Sequence, residues 1–236
     1  MPPVGPVAAL LLAAGRGERL GHSLPKAFVP IAGKTMIEHS IRALDEARSI
    51  DWIIPVIAAS DFDRWRNLHA ESTTPVAHPV AGGAERQDSM AAGLGALPEE
   101  VEIVAVHDAA RCLVAAEDID AVVKAARESG AAILAERVRD TIKRVVDHRV
   151  LETPERDTCW AALTPQVFRR DWLVEALRQA QAATRLGTDE AQLIEWSGRA
   201  TTVVEGKSPN PKLTRPEDLV LAEAMLAARE AAREER

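Results

Sequence analysis

The chain has 236 residues, of which 47 % are hydrophobic and 28 % are charged, and its formal net charge is −7. This composition excludes collagen-like, low-complexity and disordered chains, and the length is sufficient to bury a substantial core. The acidic balance argues against a nucleic-acid partner, because proteins that bind nucleic acids usually carry a basic face.

Two further features of the sequence bear on the cellular location of the protein. Cys112 and Cys159 are too few for a disulfide framework in a chain of this size, which indicates a reducing compartment. The longest early apolar run, residues 7–14, is much shorter than the roughly 20 residues that a membrane-spanning helix needs. We therefore expect a cytoplasmic protein that has no membrane partner.

Short apolar runs alternate with helix-like segments along the chain. The runs are continuously hydrophobic, which is typical of strands covered on both faces in a parallel sheet. The predicted strands are Val7–Ala13, Trp52–Ala58, Thr74–Pro79, Val101–Val106, Ala131–Arg137 and Thr201–Glu205. The predicted helices are Thr35–Arg48, Asp61–Ala70, Ala84–Leu97, Ala116–Ser129, Asp171–Ala182, Asp189–Trp196 and a surface helix that follows Arg215. This order predicts one doubly wound α/β domain over residues 1–236, with helices on both faces of the sheet.

One interval, residues 138–162, interrupts the alternation of strands and helices. Two strand-like runs, Thr141–Val146 and Arg149–Leu151, flank a short turn at Asp147 and His148, which predicts a β-hairpin. A hairpin that projects from a compact domain is too small to be stable alone. It must therefore pack on its own domain or contact a second subunit.

The most informative segment is the loop after the first strand, LLAAGRGERLGHSLPKAF, residues 11–28. Its three glycines and three cations are Gly15, Gly17, Gly21, Arg16, Arg19 and Lys26. Small residues expose backbone N–H groups and the cations supply charge, a combination that favours binding of a polyphosphate over a merely solvated loop. The third glycine comes one residue too late for a dinucleotide fingerprint, and the Walker A order of lysine and hydroxyl residue is absent.

A second glycine pair, Gly82 and Gly83, precedes a predicted helix on which Glu85, Arg86 and Ser89 share one face. A helix start behind two glycines could offer backbone groups to a base or a ribose. The alternative is an ordinary first turn that carries a surface ion pair.

A third segment, HDAAR, ends a predicted strand at the edge where ligands bind in open α/β folds. Asp108 could bind a hydroxyl or a divalent ion, and Arg111 could bind a phosphate. His107 is expected to be a packed, hydrogen-bonded histidine, since no other histidine has metal-site spacing. Cys112 is expected to be a buried inert thiol, and no arrangement typical of a protein nucleophile is present.

Seven motifs in this order resemble one family, the 2-C-methyl-D-erythritol 4-phosphate cytidylyltransferases, from residue 7 to about 225. The motifs are AAGRGERLGHSLPKAF, AGGAERQDS, HDAAR, RDTIKR, ALTPQVF, TDEA and KLTRPEDL. The resemblance implies a Rossmann-like nucleotidyltransferase fold with a mostly parallel twisted sheet, and a homodimer whose projecting arms interlock. It also implies transfer of CMP from CTP to 2-C-methyl-D-erythritol 4-phosphate, a step of the non-mevalonate route to isoprenoids. A ribitol 5-phosphate cytidylyltransferase and a non-catalytic nucleotide-binding dimer are the alternatives.

The resemblance further implies roles for individual residues. The expected catalytic residues are Arg19, Lys26, Arg156 and Lys212, of which the first two would stabilise the transition state. The nucleotide would contact Ala13, Ala14, Gly15, Gly82, Gly83, Ser89, Asp108 and Ala109. The polyol phosphate would contact Asp108, Arg111, Thr141, Arg156, Thr164 and Lys212. The expected cofactor is Mg²⁺, bound mainly through the CTP phosphates and not by a dedicated protein site.

Two further expectations concern a predicted helix start at residues 188–190 and the residue that precedes Lys212. Thr188, Asp189 and Glu190 are expected to cap a helix and to take no part in catalysis. Pro211 stands before Lys212 where the family has an apolar residue, and proline lacks an N–H and fixes φ. The backbone that carries Lys212 therefore differs from the family pattern.

Overall fold

The computed structural model describes residues 5–68 and 71–234. Its strands are β1 (Val7–Ala13), β2 (Pro30–Ile31), β3 (Lys34–Thr35), β4 (Trp52–Ile57), β5 (Val80–Ala81), β6 (Ile103–Asp108), β7 (Ala131–Arg137), β8 (Arg144–Val146), β9 (Arg149–Glu152), β10 (Trp160–Arg169) and β11 (Thr202–Glu205). Its α-helices are α1 (Met36–Glu46), α2 (Phe62–Arg66), α3 (Arg86–Gly95), α4 (Ala116–Ser129), α5 (Arg170–Ala182), α6 (Glu190–Trp196) and α7 (Pro216–Glu234).

Seven of these strands form one sheet in the order β11-β7-β10-β6-β1-β4-β5. Strand β10 is antiparallel to both of its neighbours, and the other pairings in this sheet are parallel. The mostly parallel sheet predicted from the continuous apolar runs is therefore confirmed. The carboxyl ends of β1 and β6 lie side by side, because Leu12 of β1 is in register with Asp108 of β6.

Alternate residues of β1 enter two different hydrophobic layers, which explains its continuous hydrophobicity. Leu11 belongs to the layer that contains Ile41 of α1. Leu10 belongs to the opposite layer, which contains Met90 of α3 and Leu173 of α5. Helices therefore cover both faces of the sheet.

Most predicted elements agree with the structure to within a few residues, and three differences are informative. The segment Thr74–Pro79 is not a strand, since it makes only a bridge between Val76 and Ile53, while the paired strand is Val80–Ala81. Pro75 and Pro79 lack the N–H groups that a strand would donate. Helix α2 ends at Arg66, and the predicted end of this helix at Ala70 lies outside the described residues.

Strand β10 was not predicted, although it lies between β6 and β7 in the sheet. Pro165 falls inside it, and a proline argues against a central strand because it cannot donate to the ladder. The structure accommodates this proline where the pairing register with β7 shifts, between Ala162 and Gln166.

The predicted hairpin is confirmed as a separate two-stranded sheet of β8 and β9. Asp147 and His148 both have positive φ, 47° and 60°, as a tight two-residue hairpin turn requires. Every residue from 139 to 153 is exposed. Residues 139–158, which comprise the hairpin and the turn after it, are called the arm below.

Candidate active site

A cleft of about 210 Å³ opens at the carboxyl ends of β1 and β6. Seven residues predicted from the sequence line it, namely Ala14, Gly15, Lys26, Gly83, Ser89, Asp108 and Lys212. A second cavity of about 810 Å³ shares Ala14, Gly15 and Gly83 with this cleft and also contacts Gly82. The glycine-rich loop, the second glycine pair and the end of β6 therefore meet at one edge of the sheet, while Ala13 and Ala109 are buried behind it.

Gly17 allows the glycine-rich loop to fold tightly over Lys26. Its φ is +69°, and a Cβ at this position would lie 2.4 Å from Cβ of Lys26. Lys26 begins a short 3-10 helix, Lys26–Phe28, and the buried side chains of Ala27 and Phe28 anchor its backbone in the core. The close packing directs the half-buried Lys26 side chain toward the cleft, while Arg19 stays exposed on a neighbouring 3-10 turn.

The electrostatics around Lys26 indicate a site for an anion. The pKa of Lys26 is lowered to about 8, first by burial and then by the charges of Lys212 and Arg19, against the opposing effect of Asp108. A lysine whose protonation is disfavoured by burial and by neighbouring cations is stabilised in its charged form when a negatively charged ligand lies beside it.

Asp108 is the buried carboxylate of the cleft, and two cations hold it. Arg86 donates from Nε and Nη2 to Oδ1 at 3.0 and 2.9 Å, and Nζ of Lys212 donates to Oδ2 at 2.7 Å. Burial alone would raise the pKa of Asp108, but Arg86 and Lys212 keep it well below its usual range. The carboxylate is therefore ionised at neutral pH, and Lys212 reaches it although Pro211 precedes this lysine.

Arg86 lines the cleft and Glu190 lies behind it, and neither was among the site residues predicted from the sequence. Arg86 points inward and donates from Nη1 to Oε1 of Glu190 at 2.5 Å, so it does not form a surface ion pair. Asp189 caps α6 by accepting from the Gln192 N–H, whereas Glu190 is a buried partner of Arg86. In the sequence, both residues fit the pattern of an ordinary helix N-terminus. Only the structure shows that they contact each other across 104 positions of the chain.

Backbone contacts fix the loop that carries Lys212. Asp118 accepts from the N–H groups of Lys207 and Ser208, at 3.0 and 3.2 Å. The Asn210 side-chain amide donates to the backbone carbonyl of Thr164, and the backbone carbonyl of Asn210 accepts from Nη1 of Arg111 at 2.8 Å. The Arg111 guanidinium therefore holds backbone in this structure, and its predicted contact with the polyol phosphate stays a prediction.

Thr164 and His107 form a buried pair behind Asp108. The Thr164 hydroxyl accepts from the Asp108 N–H at 3.1 Å and lies 3.0 Å from Nδ1 of His107. Burial lowers the pKa of His107 to about 4, so the ring is neutral. The expectation of a packed, hydrogen-bonded histidine is confirmed, and burial raises the pKa of the Cys112 thiol to about 12, as expected for an inert cysteine.

Thr141 and Arg156 lie on the arm and do not line the cleft within the described chain. Both are exposed, and the Arg156 guanidinium is 3.4 Å from the carbonyl oxygen of Arg139. The described chain therefore brings together the residues predicted to contact the nucleotide but not the complete set predicted for the second substrate.

A cationic cleft with a glycine-rich loop, at the carboxyl edge of this mostly parallel sheet, defines the class of α/β nucleotidyltransferases. The solved structures that the chain resembles have the same fold. The chain belongs to the 2-C-methyl-D-erythritol 4-phosphate cytidylyltransferase family, whose model matches residues 7–228.

Individual relatives cover nearly the whole chain. A 2-C-methyl-D-erythritol 4-phosphate cytidylyltransferase of Pelotomaculum thermopropionicum is 42 % identical over 227 residues, which are 95 % of this chain and 95 % of that protein. The corresponding protein of Symbiobacterium thermophilum is 44 % identical and covers 94 % of this chain and 93 % of its own length. The crystal structure of 4-diphosphocytidyl-2C-methyl-D-erythritol synthase from Anaerococcus prevotii aligns with a TM-score of 0.85 at 29 % identity, over 94 % of this chain and 96 % of that one.

The lowered pKa of Lys26 is directly measurable. In protein carrying 13C-labelled lysine, we expect one side-chain resonance to titrate at about pH 8, because burial and neighbouring cations favour loss of the proton there. The substitution Lys26→Arg should remove this resonance, and added inorganic pyrophosphate should raise its midpoint. A spectrum in which every lysine titrates near its ordinary value of about 10.4 would contradict the assignment.

The packing of Gly17 on Lys26 predicts the effect of a single methyl group. Gly17→Ala must displace the Lys26 side chain or strain a backbone with φ of +69°. We expect pyrophosphate binding, measured by calorimetry, to weaken roughly tenfold, an effect of about 1.4 kcal/mol. The matched variant Gly95→Ala, where a Cβ meets nothing within 4 Å, should bind like the wild type. Equal affinities for all three proteins would contradict this account of the loop.

Proposed function

We propose that the protein transfers CMP from CTP to 2-C-methyl-D-erythritol 4-phosphate, giving 4-diphosphocytidyl-2-C-methyl-D-erythritol and pyrophosphate in isoprenoid biosynthesis. One observation carries the proposal: Lys26 and Lys212 converge with the ionised Asp108 in the cleft, in a chain that belongs to the cytidylyltransferase family. This combination suits a polyanionic nucleotide and a second, phosphorylated substrate.

The chemistry requires alignment and neutralisation of charge more than a protein nucleophile. The phosphate monoester of the polyol attacks the α-phosphorus of CTP, a new P–O bond forms, and the bond to the departing pyrophosphate breaks. The nucleophile is already an anion, so no strong base is needed. The buried, neutral His107 and the buried Cys112 agree with this mechanism, since neither is available as a base or a nucleophile.

Lys26 and Arg19 are proposed to neutralise the triphosphate as negative charge develops on the pyrophosphate. The low pKa of Lys26 in the free protein means that a bound polyanion strengthens its protonation. The glycines and Ser89 would frame the cytidine, and Asp108 has an acceptor position left for a hydroxyl. Lys212 adjoins Asp108 and would meet the phosphate of the second substrate.

We also propose Mg²⁺ as the cofactor. Both oxygens of Asp108 accept from cations, and no group of three or more His, Cys, Asp or Glu side chains lies together in residues 5–68 and 71–234. This donor set fits an ion bound mainly by triphosphate and water oxygens and not by a dedicated protein site. When bound, such an ion would add positive charge beside the phosphates.

A homodimer joined through the arms is the proposed assembly. Val145, Val146, Val150 and Leu151 of the arm are 49 to 59 % exposed. Apolar side chains on a projecting hairpin favour a contact with another subunit. The same contact would bring Thr141 and Arg156 to a cleft, since they do not line the cleft of their own chain.

We propose the cytoplasm as the location, which both cysteines support because Cys112 and Cys159 are free thiols. No helix in the described parts of the chain is long and apolar enough to cross a bilayer.

A direct assay tests the reaction. Pyrophosphate release from CTP and Mg²⁺ is measured with 2-C-methyl-D-erythritol 4-phosphate and, side by side, with ribitol 5-phosphate. We expect kcat/KM to favour the methylerythritol substrate by at least about tenfold, because hydroxyl groups matched by buried polar partners discriminate strongly. A preference for ribitol 5-phosphate would support the related cytidylyltransferase instead. Binding of CTP without turnover of either polyol phosphate would indicate a non-catalytic nucleotide-binding protein.

If each active site combines residues of two subunits, two inactive variants should complement each other when they form mixed dimers. Mixing Lys26→Ala with Arg156→Ala should restore about a quarter of the wild-type activity, because half of randomly formed dimers are mixed and each has one intact site. The control mixes Lys26→Ala with Arg19→Ala, whose effects fall in the same part of the site, and it should stay inactive. Failure of the first mixture to recover activity, with mixed dimers verified by mass spectrometry, would contradict sharing.

A further inference from the structure

We propose that Glu190 is a positioning residue for the transfer reaction, acting through Arg86 to hold the Asp108 carboxylate in its working orientation. This inference rests on the proposed function, because Asp108 is the group that would meet a substrate hydroxyl. Glu190 itself does not line the cleft. It acts on the reaction through the two side chains between it and the substrates.

The geometry places three charged side chains in one chain of contacts. Glu190 accepts from Nη1 of Arg86, and the other two nitrogens of the same guanidinium donate to Oδ1 of Asp108. The Glu190 side chain is 2 % exposed and that of Asp108 is 11 % exposed. Such contacts are little screened by water, so the fork of Arg86 has one defined orientation.

Helix α6 gives Glu190 a rigid support on the central sheet. Gln166, on strand β10, accepts from the N–H of Ala191 at 3.0 Å and donates to Oδ2 of Asp189 at 2.8 Å. These bonds fix the residues on both sides of Glu190. Strand β10 therefore anchors the start of α6, and β10 is the neighbour of β6, the strand that carries Asp108. Glu190 is held by the sheet and not by a mobile loop.

The acceptor positions of Asp108 show what this arrangement achieves. A carboxylate has about four lone-pair positions, and Arg86 occupies two of them on Oδ1. Lys212 occupies one position on Oδ2, which leaves one for a hydroxyl. If Glu190 no longer held Nη1, Arg86 could turn toward Oδ2 and compete with the hydroxyl and with Lys212.

Charge makes the expected effect on binding different from that on turnover. Burial raises the pKa of Glu190, and the Arg86 guanidinium that it contacts opposes this shift. As the paired partner of Arg86 the carboxylate balances that cation, so Glu190→Gln removes a negative charge beside the anion cleft. We expect KM for CTP to be unchanged or lower in this variant, because extra positive charge favours the polyanion. Turnover should fall roughly tenfold to a hundredfold, since small misplacement of a positioning group has effects of this size.

The experiment is a double-mutant cycle on the full-length protein. Steady-state kcat and KM are measured for the wild type, Glu190→Gln, Asp108→Asn and the double variant, with CTP-binding stoichiometry from calorimetry giving the active fraction. If Glu190 acts through Asp108, its substitution should lower kcat in the wild type but by less than about twofold in the Asp108→Asn background. The control Glu195→Gln makes the same charge change at an exposed position of α6 and should behave like the wild type.

Each outcome has a defined meaning. If the wild type is active and kcat of Glu190→Gln lies within about twofold of the wild-type value, the inference is wrong. It is also wrong if the effects of Glu190→Gln and Asp108→Asn on kcat multiply independently in the double variant. A merely structural role would lower the active fraction and leave kcat per active site unchanged. If Glu190→Gln does not fold, Glu190→Asp replaces it in the cycle under the same kcat criteria, because aspartate keeps the charge but is one methylene shorter and no longer holds Nη1 of Arg86 in the same place. A wild type that turns over no polyol phosphate would refute the proposed function instead.

Discussion

The ion pairs of one buried carboxylate, Asp108, hold the cleft together. Asp108 ends β6, Arg86 begins α3, and Lys212 lies on the loop before α7, so these contacts join three separate parts of the chain. A buried charge is costly unless it is paired and hydrogen-bonded, and this requirement forces the three segments into one geometry. The cleft owes its shape to this constraint as much as to the glycines around it.

The cleft is cationic although the chain has a net charge of −7. Lys26 and Lys212 lie close enough to depress protonation of Lys26, and Arg19 adds to the effect. A polyphosphate bound in the cleft would relieve this repulsion. In the proposed mechanism, binding and transition-state stabilisation use the same charges, which suits a transfer whose nucleophile and leaving group are both anions. The side chains of a protein nucleophile are not required.

Much of the fold could be predicted because its signals are local. Strands β1 and β7 and helix α4 have the predicted bounds, since a strand covered on both faces and an amphipathic helix each leave a pattern within a few residues. The hairpin of the arm followed from its turn at Asp147 and His148. Strand β10 did not, because its pairing overrides the local signal of Pro165 and depends on the neighbouring strands β6 and β7.

The sequence by itself determined the fold class and located the glycine-rich loop, because the glycines and cations of residues 15–26 are close neighbours in the chain. The order of the seven motifs along the chain also indicated the family. Only the tertiary structure decided that Arg86 pairs with Asp108 and Glu190, residues that are 22 and 104 positions away. The physical reason is that hydrogen bonds between Gln166 of β10 and the start of α6, together with packing of α3 beside β1, create this contact, and neither helix start signals its partner.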